Sequence, residues 1–273
     1  MNKSIIKRIS YNPIVIKIVK ALHLRGILRK VYYRLAGPKG NILDIEIGGI
    51  NVKFFVRNPD ELRLAESVSG TWGEQKILMA LASHLKAGDV AYDIGANIGV
   101  YSVILAKTVG NSGKIISFEP EKESYERLLE NLKVNNLENV KVFREALGES
   151  DKEGKLYLGK TTGNFSLINV YEEELDYQTV RIVKGDSFVK QHNLPIPKAV
   201  KIDVEGYEYF ILLGLEETLS NLNCKALCCE IHPGLLPKEI SEEKVLDTIK
   251  SFGFLKMDIY KRPFSAYHII AYK

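Results

Sequence analysis

Ten consecutive residues, Val90-Ala91-Tyr92-Asp93-Ile94-Gly95-Ala96-Asn97-Ile98-Gly99, constrain this chain more than any other feature. An apolar run of strand length meets two glycines and then a helical pattern. Gly95 lets the chain turn sharply with positive φ. Gly99 allows a ligand or the strand to approach the first turn of the next helix, whose N–H groups face whatever lies there. In open α/β sheets, ligands bind outside the carboxyl ends of the strands, where such turns sit.

The flanking sequence keeps the same rhythm. Residues 114–118 and 140–143 read as strands, with a helix over 122–135 between them. Residues 154–184 interrupt the pattern with 155–158, 165–170 and 180–183, which resemble hairpin strands. A strand over 199–203, a helix over 207–219, a strand over 225–231 and a helix over 241–251 then resume it. Strands alternating with helices imply crossover connections and a parallel sheet. The last two strands, 255–260 and 267–271, are joined by a link containing Pro263 that is too short for a crossover, so they pair antiparallel. Upstream, apolar residues alternate around Gly48-Gly49, a hairpin signal. Residues 59–85 read as helical, with a break near Ser69-Gly70-Thr71.

Composition bounds the rest. With 273 residues, 45% hydrophobic and 26% charged, the chain suits one large domain plus a short extension. It is neither disordered nor a disulfide scaffold. No uncharged apolar run reaches the roughly 18 residues of a spanning helix. Cys224, Cys228 and Cys229 have no C-x-x-C spacing, and a reducing, cytoplasmic setting is expected. Charge is uneven. Residues 1–43 hold ten Lys/Arg and no Asp/Glu, whereas the other 230 hold 28 and 34. The expected division is therefore a basic helical leader and hairpin, 1–57, ahead of the main domain, 58–273. Lys17 and Lys20 interrupt the leader's apolar stretch and argue against a signal peptide. Three uses fit it: packing on the body or a second subunit as a homo-oligomer, peripheral contact of residues 1–36 with the inner membrane face, or RNA binding.

The turn itself selects a ligand. A dinucleotide-binding turn reads G-x-G-x-x-G and cradles a pyrophosphate. Here Asn97 replaces the middle glycine and Asp93 opens the turn. A carboxylate aimed into the site repels pyrophosphate and suits an ammonium beside a sulfonium. Glu119 ends the next strand, 24 residues after Gly95, placed to accept both ribose hydroxyls. Asp93, Gly95, Gly99 and Glu119 together describe S-adenosylmethionine.

At this point the chain resembles a known family. Asp-Ile-Gly-Ala-Asn-Ile-Gly is similar to the first motif of class I S-adenosylmethionine-dependent methyltransferases of the FkbM type. The likeness continues through Phe118-Glu119-Pro120, Glu145-Ala146-Leu147-Gly148, Lys201-Ile202-Asp203-Val204-Glu205-Gly206-Tyr207-Glu208 and Glu230-Ile231-His232, over roughly residues 70–235. Where this chain has Glu145 the family usually has Asn. The resemblance implies a Rossmann-like α/β fold, a seven-stranded, mostly parallel sheet with an antiparallel last strand. It also implies methyl transfer to a hydroxyl of a sugar, glycolipid or other small molecule. By position, Asp93, Gly95, Asn97 and Gly99 would surround the methionine part, Glu119 the ribose, and Glu145, Ala146 and Leu147 the adenine. A comparable Glu suggests a cofactor contact for Glu74.

A second group of acidic residues closes the later strands. Asp203 and Glu205 share one side of an extended segment, as do Glu230 and His232. A hydroxyl acceptor benefits from a nearby base, for which Asp203 is the first choice and His232 the second. Glu205 and Glu230 would orient the acceptor. Helix capping by Asp203 and Glu208 is the plain structural alternative. An oxygen-rich cation site is another, but strand-end carboxylates alone do not define one, and no metal is expected. The rival reading is an RNA methyltransferase recruited by the leader. It lacks the Asn/Asp-Pro-Pro-aromatic stretch expected after the fourth core strand, and acidic residues there disfavour nucleic acid.

Overall fold

The structure is a computed structural model that describes residues 25–68, 74–159, 165–169, 175–261 and 266–273. The Gly95 turn follows the central strand, β3 (Val90–Ile94). On one side of β3 lie β4 (Lys114–Phe118) and β5 (Val140–Phe143). On the other lie β10 (Ala199–Ile202), β11 (Ala226–Ile231), β13 (Tyr267–Tyr272) and, at the edge, β12 (Lys256–Lys261). The order is β12-β13-β11-β10-β3-β4-β5. The pairs β3–β4, β4–β5, β3–β10 and β10–β11 are parallel, while β13 runs antiparallel to both its neighbours. The sheet therefore grows outward from β3 first one way and then the other, which makes the β3/β10 ends a topological switch point. This is the expected Rossmann-like α/β fold.

Central strands covered on both faces read as unbroken apolar runs. One face packs α3 (Glu74–Ala82), α4 (Val100–Val109), α5 (Lys122–Val134) and a hairpin, β1 (Ile42–Ile47) and β2 (Ile50–Phe55), around Phe54, Leu78 and Leu105. The other packs α6 (Gly185–Gln191), α7 (Glu208–Gly214), α8 (Glu216–Ser220) and α9 (Glu242–Ser251) around Tyr92, Leu212 and Ile249. Cys228 and Cys229 alternate along β11 and so enter opposite cores, both fully buried. Burial pushes both thiols well up, which keeps them unreactive.

The hairpin is sewn to α5. The Phe55 N–H donates to Asn131 Oδ1 at 2.7 Å, and Asn135 bonds both the N–H and the carbonyl of Lys53. Ahead of it, α1 (Arg25–Ala36) is tied by the Tyr33 hydroxyl, which donates to the Val56 carbonyl at 2.8 Å. Val31 and Leu35 of α1 stay exposed. The rest of the leader, 1–24, lies outside the described residues, so its expected helix is seen only from Arg25 on. Among the described residues no helix is long and apolar enough to cross a membrane.

Two local expectations change. The single helix over 207–219 is two, α7 and α8, because the Asp186 carboxylate accepts the N–H groups of Glu217 and Thr218 and starts α8 afresh. Of the strand expected over 165–170, the described residues 165–169 form only β8 (Phe165–Ser166). The interrupting segment forms a small sheet of order β6-β9-β7-β8 with β6 (Ala146–Gly148), β7 (Lys152–Leu158) and β9 (Tyr177–Lys184). The helix before the break at 69–71 is α2 (Pro59–Glu66), capped by Asn58 Oδ1 from the N–H groups of Asp60 and Glu61; residues 69–73 lie outside the described residues.

Candidate active site

The β3/β10 ends open into a cavity of about 740 Å³, within the ~300–1,000 Å³ range of ligand sites. The turn after β3 forms one wall. Gly95 has φ +75°, and a Cβ there would collide with the Asp203 carbonyl. The N–H groups of Gly95 and Ala96 both donate to the Phe118 carbonyl at 3.0 Å, tying the turn to β4. Asn97, where a dinucleotide turn has glycine, adopts φ +52°. Asn tolerates that left-handed region better than other side chains, so the substitution keeps the backbone path.

Glu119 is 4% exposed. Its Oε2 accepts from the Asn97 N–H at 2.7 Å and its Oε1 from the Glu121 N–H at 2.9 Å. Burial raises its pKa to about 7, against the two N–H bonds, which favour the anion. Gly95, Asn97, Glu119, Glu145, Ala146, Leu147 and Glu74 all line the cavity.

Asp93 and Gly99 are placed differently from the expectation. Asp93 is fully buried and does not line the cavity. Parallel pairing sets it beside Lys201 of β10, and Ser102 of α4 donates to its Oδ2 at 2.6 Å. Its charge acts through the Lys201 ammonium, 3.4 Å away. Gly99 lies behind the lining, where its missing Cβ makes room for Leu128.

Lys201 is the functional side chain that sequence reasoning left without a role. Its Nζ donates to the Gly95 carbonyl at 2.7 Å and lies 3.7 Å from Asp203. Burial disfavours its charge, but Asp93 and Asp203 outweigh that and raise its pKa. One ammonium thus ties the glycine turn to the second acidic group. A lysine inside a wholly buried apolar strand was the available signal, since such a charge needs a partner.

The second group converges as its spacing predicts. Asp203, Glu205, Glu230 and His232 all line the same cavity. Glu205, a non-glycine, takes φ +52°, and its carbonyl accepts from Ser166 Oγ at 2.7 Å. His232 Nδ1 lies 2.7 Å from Oε1 of Glu208, a fully buried carboxylate at the start of α7. Its Nε2 lies 3.6 Å from Glu205 and 3.8 Å from Glu230. Burial works against a charged ring, but the Glu208 bond and the surrounding carboxylates raise its pKa to about 10. An imidazolium has no lone pair to accept a proton. The surroundings thus favour a proton on the ring, which weighs against the second-choice base role. Glu208 positions that ring and does more than cap a helix. One ligand atom each from Asp203, Glu205 and His232 lies within 4.8 Å of the others, an arrangement that could hold a metal ion.

The lining carries six carboxylates, Glu74, Glu119, Glu145, Asp203, Glu205 and Glu230, against Arg63, Lys201 and His232. A cavity of that sign fits a sulfonium nucleoside and resists a pyrophosphate. A sheet with an antiparallel penultimate strand, a glycine turn after its central strand and a buried acid after the next define a class I S-adenosylmethionine-dependent methyltransferase. Residues 93–256 match the methyltransferase FkbM domain, and the chain belongs to that family.

Among curated relatives, the chain is 26% identical over 197 residues to the hexuronic acid methyltransferase AglP of Haloferax volcanii, covering 72% of this chain and 77% of that one. Among solved structures it is similar to a precorrin-6y C5,15-methyltransferase from Geobacter metallireducens, with 15% identity, 73% and 88% of the two chains covered and a TM-score of 0.46. It is also similar to Aeropyrum pernix fibrillarin with natively bound S-adenosyl-L-methionine, with 15% identity, 68% and 67% coverage and a TM-score of 0.43.

Proposed function

We propose that this methyltransferase acts on a hydroxyl of a sugar, glycolipid or comparable small acceptor. The observation that carries the reading is the grouping of Asp203, Glu205, Glu230 and His232 in the cavity that Glu119 also lines. Carboxylates accept hydrogen bonds from the hydroxyls in which sugars are rich. A relative that is a hexuronic acid methyltransferase supports the same class. An acidic sugar would also find Arg63 in the lining. RNA is disfavoured because the acidic lining repels phosphate. We place the enzyme in the cytoplasm, with the basic segment 1–36 as a point of contact with a membrane or a second subunit.

In this reading Glu119 holds the ribose hydroxyls, and Glu145, Ala146 and Leu147 flank the adenine. Gly95 and Asn97 pass their backbone along the methionine part, with Glu74 at the same end. When bound, S-adenosylmethionine supplies an already activated methyl group whose sulfur leaves with the electron pair. The protein's work is then alignment, which in well-oriented systems contributes roughly 7–11 kcal/mol. Asp203, about a quarter exposed and held by Lys201, takes the acceptor's proton as the new C–O bond forms. His232 and Glu205 steer the acceptor.

The test is a panel of glycans, glycolipids and short RNAs incubated with enzyme and methyl-labelled cofactor. Label should enter an alkali-stable ether on a glycan. Transfer to RNA alone would overturn the reading.

A further inference from the structure

We infer that Asp203, Glu205 and His232 form a divalent-cation site at the acceptor end of the cavity. Ion binding itself stands on geometry alone; only the identity of what the ion then holds, the acceptor's oxygens, rests on the function proposed above.

The three ligand atoms lie within 4.8 Å of one another. Octahedral ligands at about 2.1 Å from an ion are separated by about 3 Å when adjacent and about 4.2 Å when opposite, so modest side-chain rotation closes the site. His232 supplies a second, independent indication. It is 8% exposed, and Glu208 engages its Nδ1 at 2.7 Å. The other nitrogen, Nε2, faces Glu205 and Glu230 oxygens at 3.6 and 3.8 Å, beyond hydrogen-bonding distance, and has no hydrogen bond among the described residues. A ring nitrogen in the cavity lining that faces two carboxylates is matched by a positive charge between them, either a proton or a metal ion.

The surroundings favour the ion. Metal-ligating histidines usually donate their second N–H to a carboxylate, and ligating carboxylates are themselves held from behind. Glu208 does the first, and its own Oε1 is fixed by the Gly206 N–H at 2.9 Å. Glu230, 5% exposed, borders the same group, with Oε2 3.2 Å from His268 Nε2. Four carboxylates therefore gather here, and the Lys201 ammonium is divided among the Gly95 carbonyl, Asp93 and Asp203. Mostly oxygen donors with one imidazole suit magnesium or manganese better than zinc. Such an ion would chelate neighbouring oxygens of the acceptor and set their distance from the methyl group.

The experiment uses the full chain stripped with EDTA and titrated with Mn²⁺, following the electron paramagnetic resonance signal of the unbound ion. One ion per chain should bind, and excess Mg²⁺ should displace it. Asp203→Asn and His232→Gln should each weaken binding at least tenfold, and Glu138→Gln, at an exposed carboxylate away from the cavity, should not. If His232→Gln does not fold, Asp203→Asn, a partly exposed position, still decides. Calorimetry with S-adenosylhomocysteine on the same samples separates the two claims. Cofactor binding without stoichiometric Mn²⁺ binding would overturn the cation site and leave the methyltransferase standing. Mn²⁺ binding unchanged by Asp203→Asn and His232→Gln would overturn it equally.

Discussion

Replacing Glu119 by Gln should make the unliganded protein more stable and the cofactor weaker, and the first effect should depend on pH. The carboxyl ionises near 4.5 in a solvated chain and at about 7 in the fold. A group whose folded pKa is raised in this direction is neutral in the fold while ionised in the unfolded chain between those values. Stability is thus undiminished below pH 4.5, falls as pH rises toward 7 and stays at its lowest above it. The interval of 7 − 4.5 corresponds to about 3 kcal/mol of penalty at pH 8.5. Gln removes that penalty but has one acceptor oxygen for the N–H groups of Asn97 and Glu121, a loss of about 1 kcal/mol. The net gain, about 1–2 kcal/mol, should raise the melting temperature by roughly 2–6 °C. At pH 5 most of the penalty is absent in the parent too, and the gain should vanish. Thermal unfolding at both pH values, with S-adenosylhomocysteine calorimetry, checks this. Loss of the charge-assisted bonds should weaken the nucleoside by about ten- to a hundredfold. Equal destabilisation at both pH values, or unchanged affinity, would refute the reasoning.

Other outcomes follow from the same contacts. Parent affinity for S-adenosylhomocysteine should rise with pH and level off above about 7 as Glu119 ionises, measurable by calorimetry. Gly95→Ala should destabilise the fold by more than about 2 kcal/mol in denaturant titrations, since the added Cβ meets the Asp203 carbonyl in a left-handed backbone. Lys201→Met should cost about 3–5 kcal/mol by stranding buried Asp93, and adding Asp93→Asn should recover part of it. Asp203→Asn should leave S-adenosylhomocysteine affinity within a few-fold while turnover on an identified acceptor falls about 10²–10⁴-fold.

Asp93 shows where reading from sequence reaches its limit. Its place at the end of a strand before the glycine turn was legible, and so was the need for a carboxylate there. Whether it touches the ligand was not, because that depends on which side chains of β10 and α4 lie against it. Lys201 and Ser102 occupy that space and turn its charge into a brace. Glu119 lies in the lining because it follows directly on the end of a parallel strand, where the sheet opens to the cavity. Its raised pKa follows from burial, which spacing does not reveal. His232 was legible at the end of its strand, but its contact with Glu208, 24 positions away, forms only once α7 packs beside β11.

By itself, the sequence determined the parallel sheet, the glycine turn, the antiparallel finish and the two acidic groups at strand ends. These follow from short-range rules of side-chain period, backbone freedom at glycine and connection length, which act within a few residues. The tertiary structure alone decided which of those acids face the cavity, which are neutralised from behind and how three of them gather around one imidazole. Such distinctions come from desolvation and from charges brought together by strands far apart in the chain, and only the packed molecule fixes those distances.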